Sequence, residues 1–294
     1  MSEPQIIIVD NDDFDADNIT IASWNVNSLK CRVDKVLDWL RKYKPLVLTM
    51  QEIKCDAEKI DKTLFWELGY EFICHSKGGW NGVAIAYRDI NRKDFKTRLI
   101  HTQYHLKDQP RWIGGKDGSV LENRALAITL EVEKNNAKIL FNIYSLYVPN
   151  GRTIDDKHFI YKLLFLESLK RDIEGKPNLI LTGDFNVAPR DVDVWSIKNF
   201  AGCTHVTPEE RDRIKSLGLR DVIPEYGIEN GEMKPSPFTY WGYIGGLFWK
   251  DKGMRIDLVL TNSDKVISTY VDRDSRSLSK SSDHTPLIAC INIE

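Results

Sequence analysis

What most constrains this chain is a recurrence of short apolar runs, several of which lead into or are flanked by polar residues that are poor strand formers. The runs are 19-ITIASW-24, 46-LVLTM-50, 82-GVAIAY-87, 125-ALAITLEV-132, 138-KILFNIYSLYV-148, 178-NLILTG-183, 255-RIDLVLT-261 and 287-LIACINI-293. Eight or more strands are implied. Some alternate and some are continuously apolar, as when one or both faces of a sheet are buried.

Helical patterns lie between the runs. In 32-RVDKVLDWLRKY-43 the residues Val33, Val36, Leu37 and Leu40 share one helix face, and 156-DKHFIYKLLFLESLKRDI-173 is helical before Gly175 and Pro177. Thr207, Pro208 and Glu210 read as an N-cap, a first-turn proline and a capping-box acid, opening a helix that stops near Gly218. Strands and helices mix throughout, with no repeat, linker or composition break after residue 18. The expectation is one α/β domain over 19–294 preceded by a flexible acidic tail, 1–18. That tail carries Glu3, Asp10, Asp12, Asp13, Asp15 and Asp17 and no Lys or Arg, so the rest of the chain is more basic than the net charge of −2 suggests. Such a balance is compatible with a phosphate-rich partner without being evidence for one.

No stretch approaches the ~20 apolar residues of a membrane span, and the N-terminus lacks the basic and apolar blocks of a secretory signal. Five scattered cysteines suit neither a disulfide framework nor a zinc site, so a reducing compartment is expected, bacterial cytoplasm by preference and the nucleus if the source is eukaryotic. Two long loops, 101–121 and 241–253, carry aromatics among Gly, Lys and Arg, a mixture that can stack on bases or sugars and can equally pack on its own domain.

The strand ends carry the chemistry. They offer Asn25 and Asn27, Glu52, Tyr147 and Asn150, Asp184 and Asn186, Asp257, and Asp283 with His284. Singly, each has an ordinary reading as a turn residue, a surface acid or a core aromatic. Jointly they are rich in hard oxygen ligands with one imidazole, which suits Mg²⁺ and phosphoester hydrolysis better than zinc.

In order, W-N-V-N, Q-E-I-K, Y-V-P-N-G-R, L-T-G-D-F-N, G-M-R-I-D-L-V-L and S-D-H-T-P-L closely resemble the exonuclease III family of abasic-site endonucleases, across residues 19–294. The resemblance implies a four-layered αββα sandwich with its site at one end of paired sheets. It implies Glu52 as metal ligand, assisted by Asn25, Asn27 and Asp283, with Mg²⁺ as cofactor and Mn²⁺ as a substitute. It further implies Asp184 activating a water with Asn186 helping to position it, His284 oriented by Asp257 on the phosphate, and Tyr147 and Asn150 binding the same phosphate. Tyr240, Met254 and Ile256 would line an apolar pocket for a sugar that has lost its base. The implied partner is double-stranded DNA with abasic sites or blocked 3′ ends, cut by a monomer. Asn27 stands where some members carry an acid, and Met254 where some carry a larger aromatic. Phosphatases of lipids or inositol phosphates share the Glu, Asp-x-Asn and Asp-His elements, and a non-catalytic DNA-binding platform is the remaining alternative.

Overall fold

A computed structural model describes residues 14–17, 19–115, 118–234 and 237–293. The chain runs β1 (Ile19–Asn25), α1 (Leu29–Tyr43), β2 (Val47–Gln51), α2 (Thr63–Trp66), β3 (Tyr70–His75), β4 (Val83–Arg88), β5 (Phe95–Tyr104), β6 (Trp112–Gly115), β7 (Gly118–Val120), β8 (Ala125–Lys134) and β9 (Ala137–Tyr147). It continues through α3 (Lys157–Ile173), β10 (Leu179–Asp184), α4 (Ile197–Phe200), α5 (Pro208–Ser216), β11 (Arg220–Asp221), β12 (Gly227–Glu229), β13 (Glu232–Lys234), β14 (Asp257–Thr261), β15 (Val266–Asp272), α6 (Asp274–Ser277) and β16 (Leu287–Ile291).

An eight-stranded sheet has the order β13-β12-β15-β16-β1-β2-β4-β3, and a six-stranded sheet the order β11-β14-β10-β9-β8-β5. Three apolar layers hold them. Ile21, Val47 and Ile85 of the larger sheet meet Ile128, Ile143, Ile180 and Val259 of the smaller one. Leu146, Leu181 and Leu258 pack outward against Phe165, Leu166 and Leu169 of α3 and Ile214 of α5. Trp24, Leu48 and Met50 pack outward against Val36, Leu37 and Leu40 of α1 and Phe65 of α2. Each central strand therefore buries both faces, which is why its sequence is continuously apolar. The result is the expected helix-sheet-sheet-helix sandwich. Among the described residues no helix is long and apolar enough to cross a membrane.

Some expectations need correction. Residues 101–104 complete edge strand β5, and β6 and β7 form a separate hairpin, so 101–121 is not one irregular loop. The outer half of β5 is largely exposed and polar, so it carries no apolar run to read. The tail expected over 1–18 falls mostly outside the described residues. Its Phe14, however, is buried, with its ring 5.2 Å from that of Phe95 and the Arg88 guanidinium 5.2 Å from its centre.

Candidate active site

Strand register assembles one end of the sandwich. Asp184, the last residue of β10, lies beside Tyr147 on parallel β9 and beside Asp257 on antiparallel β14. In the other sheet β1 and β2 run parallel with Asn25 opposite Gln51, which brings Glu52 next to Asn25. The two sheets are tied just below by buried polar contacts: Thr49 Oγ1 and Thr182 Oγ1 are 2.6 Å apart, and Gln51 Nε2 donates to Ser145 Oγ at 3.1 Å.

The chain turns sharply where these strands end. Asn27, Glu52 and Asn186 all have left-handed backbones, with φ of 43°, 55° and 52°. For a residue such as Glu52 this conformation costs about 1–2 kcal/mol, a strain that tends to collect at functional sites. The Asn186 N–H donates to Asp184 Oδ1 at 2.9 Å, closing the D-x-N turn and fixing its carboxylate.

Asn25 bridges the two sheets, its Nδ2 donating to Glu52 Oε1 at 2.9 Å and to Asp184 Oδ2 at 3.0 Å. It faces those carboxylates as a donor, and its own oxygen accepts from the Asn27 N–H at 3.0 Å. Asn27 Nδ2 donates to Asp283 Oδ1 at 2.9 Å, and Lys54 Nζ donates to Asn27 Oδ1 at 2.7 Å. Lys54 also pairs with Glu52. Burial works to raise the Glu52 pKa, but the Lys54 charge and the Asn25 hydrogen bond outweigh it and hold the acid ionised.

His284 Nδ1 is 2.7 Å from Asp257 Oδ2, and its Nε2 is 3.7 Å from Asp184 Oδ2. Burial would make this imidazole less basic, but Asp257 and Asp184 more than reverse that, and it stays protonated well above its ordinary range. Burial pushes the Asp184 pKa up; His284 opposes this, while Asp257 and Glu52 add to it. Burial also pushes the Tyr147 hydroxyl well up, helped by Glu52, so it remains a donor. The Arg124 guanidinium lies 4.8 Å from the centre of the Tyr147 ring and donates to the Tyr147 carbonyl at 3.3 Å. Asn150 Nδ2 donates to Asn186 Oδ1 at 3.2 Å, which links the last two polar residues to the group.

The three side chains whose ligand atoms lie within 4.8 Å of one another are Glu52, Asp184 and His284. Two carboxylates suit a hard divalent cation. His284 is held by Asp257 through Nδ1, and the hard oxygen ligands within reach of one another are Glu52 and Asp184. Asn27 and Asp283 are instead paired with each other.

Tyr240 packs against the catalytic corner, its ring 4.8 Å from that of His284. Met254 and Ile256 join Ala188, Val194 and Val206 in a small apolar cluster beside it. Ile256 is only 2 % exposed, so it supports that surface and offers little area of its own. Arg152 points its guanidinium at Trp112 on the β6–β7 hairpin. Sequence reasoning missed Arg124 and Lys162; the signal for Lys162 was a cation among the apolar residues Phe159, Phe165 and Leu166, three and four places away on its helix face.

The sequence profile described as "Endonuclease/Exonuclease/phosphatase family" matches residues 22–284. The chain belongs to the endonuclease/exonuclease/phosphatase family. Exodeoxyribonuclease III of Haemophilus influenzae is 25 % identical to this family member, over 91 % of this chain and 97 % of its own. The solved AP endonuclease of Archaeoglobus fulgidus superposes with a TM-score of 0.75 at 26 % identity, covering 94 % of this chain and all of the other. The 3′ phosphatase NExo from Neisseria, bound to product DNA hairpin, gives a TM-score of 0.77 at 25 % identity, covering 93 % of this chain and 99 % of the other.

Proposed function

We propose that this protein is a DNA repair nuclease that hydrolyses the phosphodiester 5′ of an abasic site, leaving a 3′-hydroxyl, with 3′→5′ exonuclease and 3′-end trimming at the same site. The observation that carries this reading is the close grouping of Asp184 with the His284–Asp257 pair, Glu52 and Asn25 at one end of the sandwich. A carboxylate of raised pKa beside a fixed imidazolium is a matched base and phosphate-binding donor.

In this mechanism His284 Nε2–H and the Tyr147 hydroxyl donate to the non-bridging phosphate oxygens and stabilise the charge that develops there. Asp184 takes a proton from water as its oxygen attacks phosphorus. The bond from phosphorus to the 3′-oxygen breaks with its electron pair going to that oxygen, which takes a proton from solvent to become the 3′-hydroxyl, and the phosphate stays on the abasic sugar. Asn150 and Asn186 brace the phosphate side, and Asn25 keeps the Glu52 and Asp184 carboxylates at a fixed separation. Glu52 and Asp184 would hold a divalent cation, Mg²⁺ by preference with Mn²⁺ as substitute, which would supply charge neutralisation and polarisation of the phosphate.

Selectivity for the lesion rests on Tyr240 and Met254. Flipping an intact nucleotide costs unstacking and unpairing that an abasic one largely avoids, and a small apolar corner suits a bare sugar. We further read the chain as a monomer working on double-stranded DNA in a reducing compartment, bacterial cytoplasm by preference. The test is one labelled duplex with a central abasic-site analogue and an intact control, each with Mg²⁺ and with chelator. Metal-dependent incision only at the lesion is expected. Steady shortening of the control from its 3′ end with the lesion ignored would refute the proposed specificity, and cleavage of an inositol phosphate in place of either duplex would refute the DNA reading.

A further inference from the structure

Behind the site, on the side of α3 and α5, lies a charged pair that the mechanism above does not use. Lys162 of α3 is 0 % exposed, and its ammonium pairs with the buried carboxylate of Glu210 on α5. The same Nζ donates to the Asn186 carbonyl at 2.6 Å, to the Asn150 carbonyl at 3.2 Å and to Thr204 Oγ1 at 3.2 Å. Thr204 Oγ1 in turn lies 3.0 Å from the Asn150 carbonyl and 2.8 Å from Glu210 Oε1. The ammonium thus has four acceptors around its three N–H groups, two backbone carbonyls, one carboxylate and the Thr204 hydroxyl, and that hydroxyl also bridges Asn150 and Glu210.

Those two carbonyls belong to the residues whose amides touch each other at the site. Asn186 sits in the left-handed turn after Asp184, and Asn150 in the loop after β9. Between Asn150 and the helix, Gly151 has a φ of 91°, and a Cβ there would collide with Thr204 Oγ1 and press on Lys162 Cδ. The loop therefore runs as close to Thr204 and the Lys162 side chain as a glycine allows. A buried ion pair is a poor device for stability, because desolvation offsets much of its attraction and an apolar replacement of both partners is often tolerated. What an apolar pair could not do is hold two carbonyl oxygens from separate loops at one point.

We propose that Lys162 is a positioning residue: its ammonium, anchored by Glu210, fixes the backbone of Asn186 and Asn150 and so sets the placement of Asp184 and both amides against the substrate phosphate. This rests on the nuclease reading of the site. A misplacement of about 1 Å at reacting groups costs about 10²-fold in rate while leaving remote binding intact. The effect should therefore fall on kcat and spare affinity for DNA.

The test replaces both charges together, Lys162→Met with Glu210→Gln, so that neither is stranded. The double variant is expected to unfold cooperatively, to keep its Kd for the abasic duplex within about threefold, and to lose about 10- to 100-fold in kcat. A folded double variant with wild-type kcat would overturn the proposal, as would equal losses in Kd and kcat. If the double variant does not fold, Lys162→Arg keeps the charge against Glu210 but moves the donors off the two carbonyls; a lower kcat at unchanged Kd supports the proposal and an unchanged kcat overturns it. If the wild-type protein cleaves no DNA, the nuclease reading fails on its own. The side-chain amide signals of Asn150 and Asn186 in ¹⁵N spectra of either variant then decide the positioning, displaced if it is right and unmoved if it is wrong.

Discussion

At Asp184 and His284 burial pushes two facing groups in opposite directions, and their mutual charge decides the outcome. Nε2 of the imidazole and Oδ2 of the carboxylate are 3.7 Å apart, with Asp257 behind the imidazole at 2.7 Å. Asp257 and Asp184 hold the proton on His284, while burial with the charges of Asp257 and Glu52 raises Asp184. The pH profile of kcat/KM should accordingly be bell-shaped. Its basic limb, set by His284, should lie well above the ~6.5 of a free His. Asp257→Asn removes the charge that keeps His284 protonated, so the basic limb should move down and kcat fall by about 10²- to 10⁴-fold. A basic limb unmoved in steady-state assays of that variant would show that Asp257 does not set the state of His284. These groups were legible because each lies at or next to the end of an apolar strand and is a residue that strands disfavour. Arg124 and Lys162 were not, because Tyr147 and Asn186, which they hold at the site, lie on distant segments, and Lys162 within a helix reads as solvated until its face is known to be buried.

At the scale of elements, the site depends on how closely β9 and β10 run together. Gly183 precedes Asp184 with a φ of 138°, and a Cβ there would overlap the backbone of Leu146, the residue before Tyr147. Gly183→Ala should therefore cost about 1–3 kcal/mol through backbone strain, with overpacking adding about as much. Because the wedge would sit between Tyr147 and Asp184, activity should fall even under conditions where urea titration shows the variant folded. Full activity in the folded variant would mean that the strand spacing is looser than the register implies. The central strands and the main helices were legible for local reasons. Both faces of the strands are apolar, and the α5 start carries a complete capping box, with Thr207 accepting from the Glu210 N–H and Glu210 accepting in return. Edge strand β5 and the β6–β7 hairpin were not legible, since an exposed strand face keeps polar residues and only its neighbour reveals it.

Across the whole molecule, ion pairs brace the loops around the site. Arg255 sits between Met254 and Ile256 and donates to Asp193 and Asp221 at 2.7–2.9 Å, while Arg190 closes on Asp193 from the other side. Burial alone would raise the Asp193 pKa, but the bonds from Arg255 and Arg190 outweigh it and hold it below the usual carboxylate range. Its folded value is lower than its unfolded value. The stability it contributes is therefore complete above about pH 4–5 and is lost as pH falls through the folded value. Asp193→Asn should lower the urea midpoint at pH 7 and flatten the loss of stability on acidification; an unchanged acid slope would place that loss elsewhere. The architecture as a whole was legible once the apolar runs and helices were set in order, whereas the packing of Phe14 against Phe95 was hidden by its acidic surroundings. The central claim, that this end of the sandwich hydrolyses a phosphodiester at phosphorus, is tested most directly by incising an abasic duplex in H₂¹⁸O and weighing the fragments. One heavy oxygen in the 5′-phosphate, opposite an unmodified 3′-hydroxyl, is predicted; a phosphate without the label would mean the strand was opened by elimination at the sugar and would contradict the account.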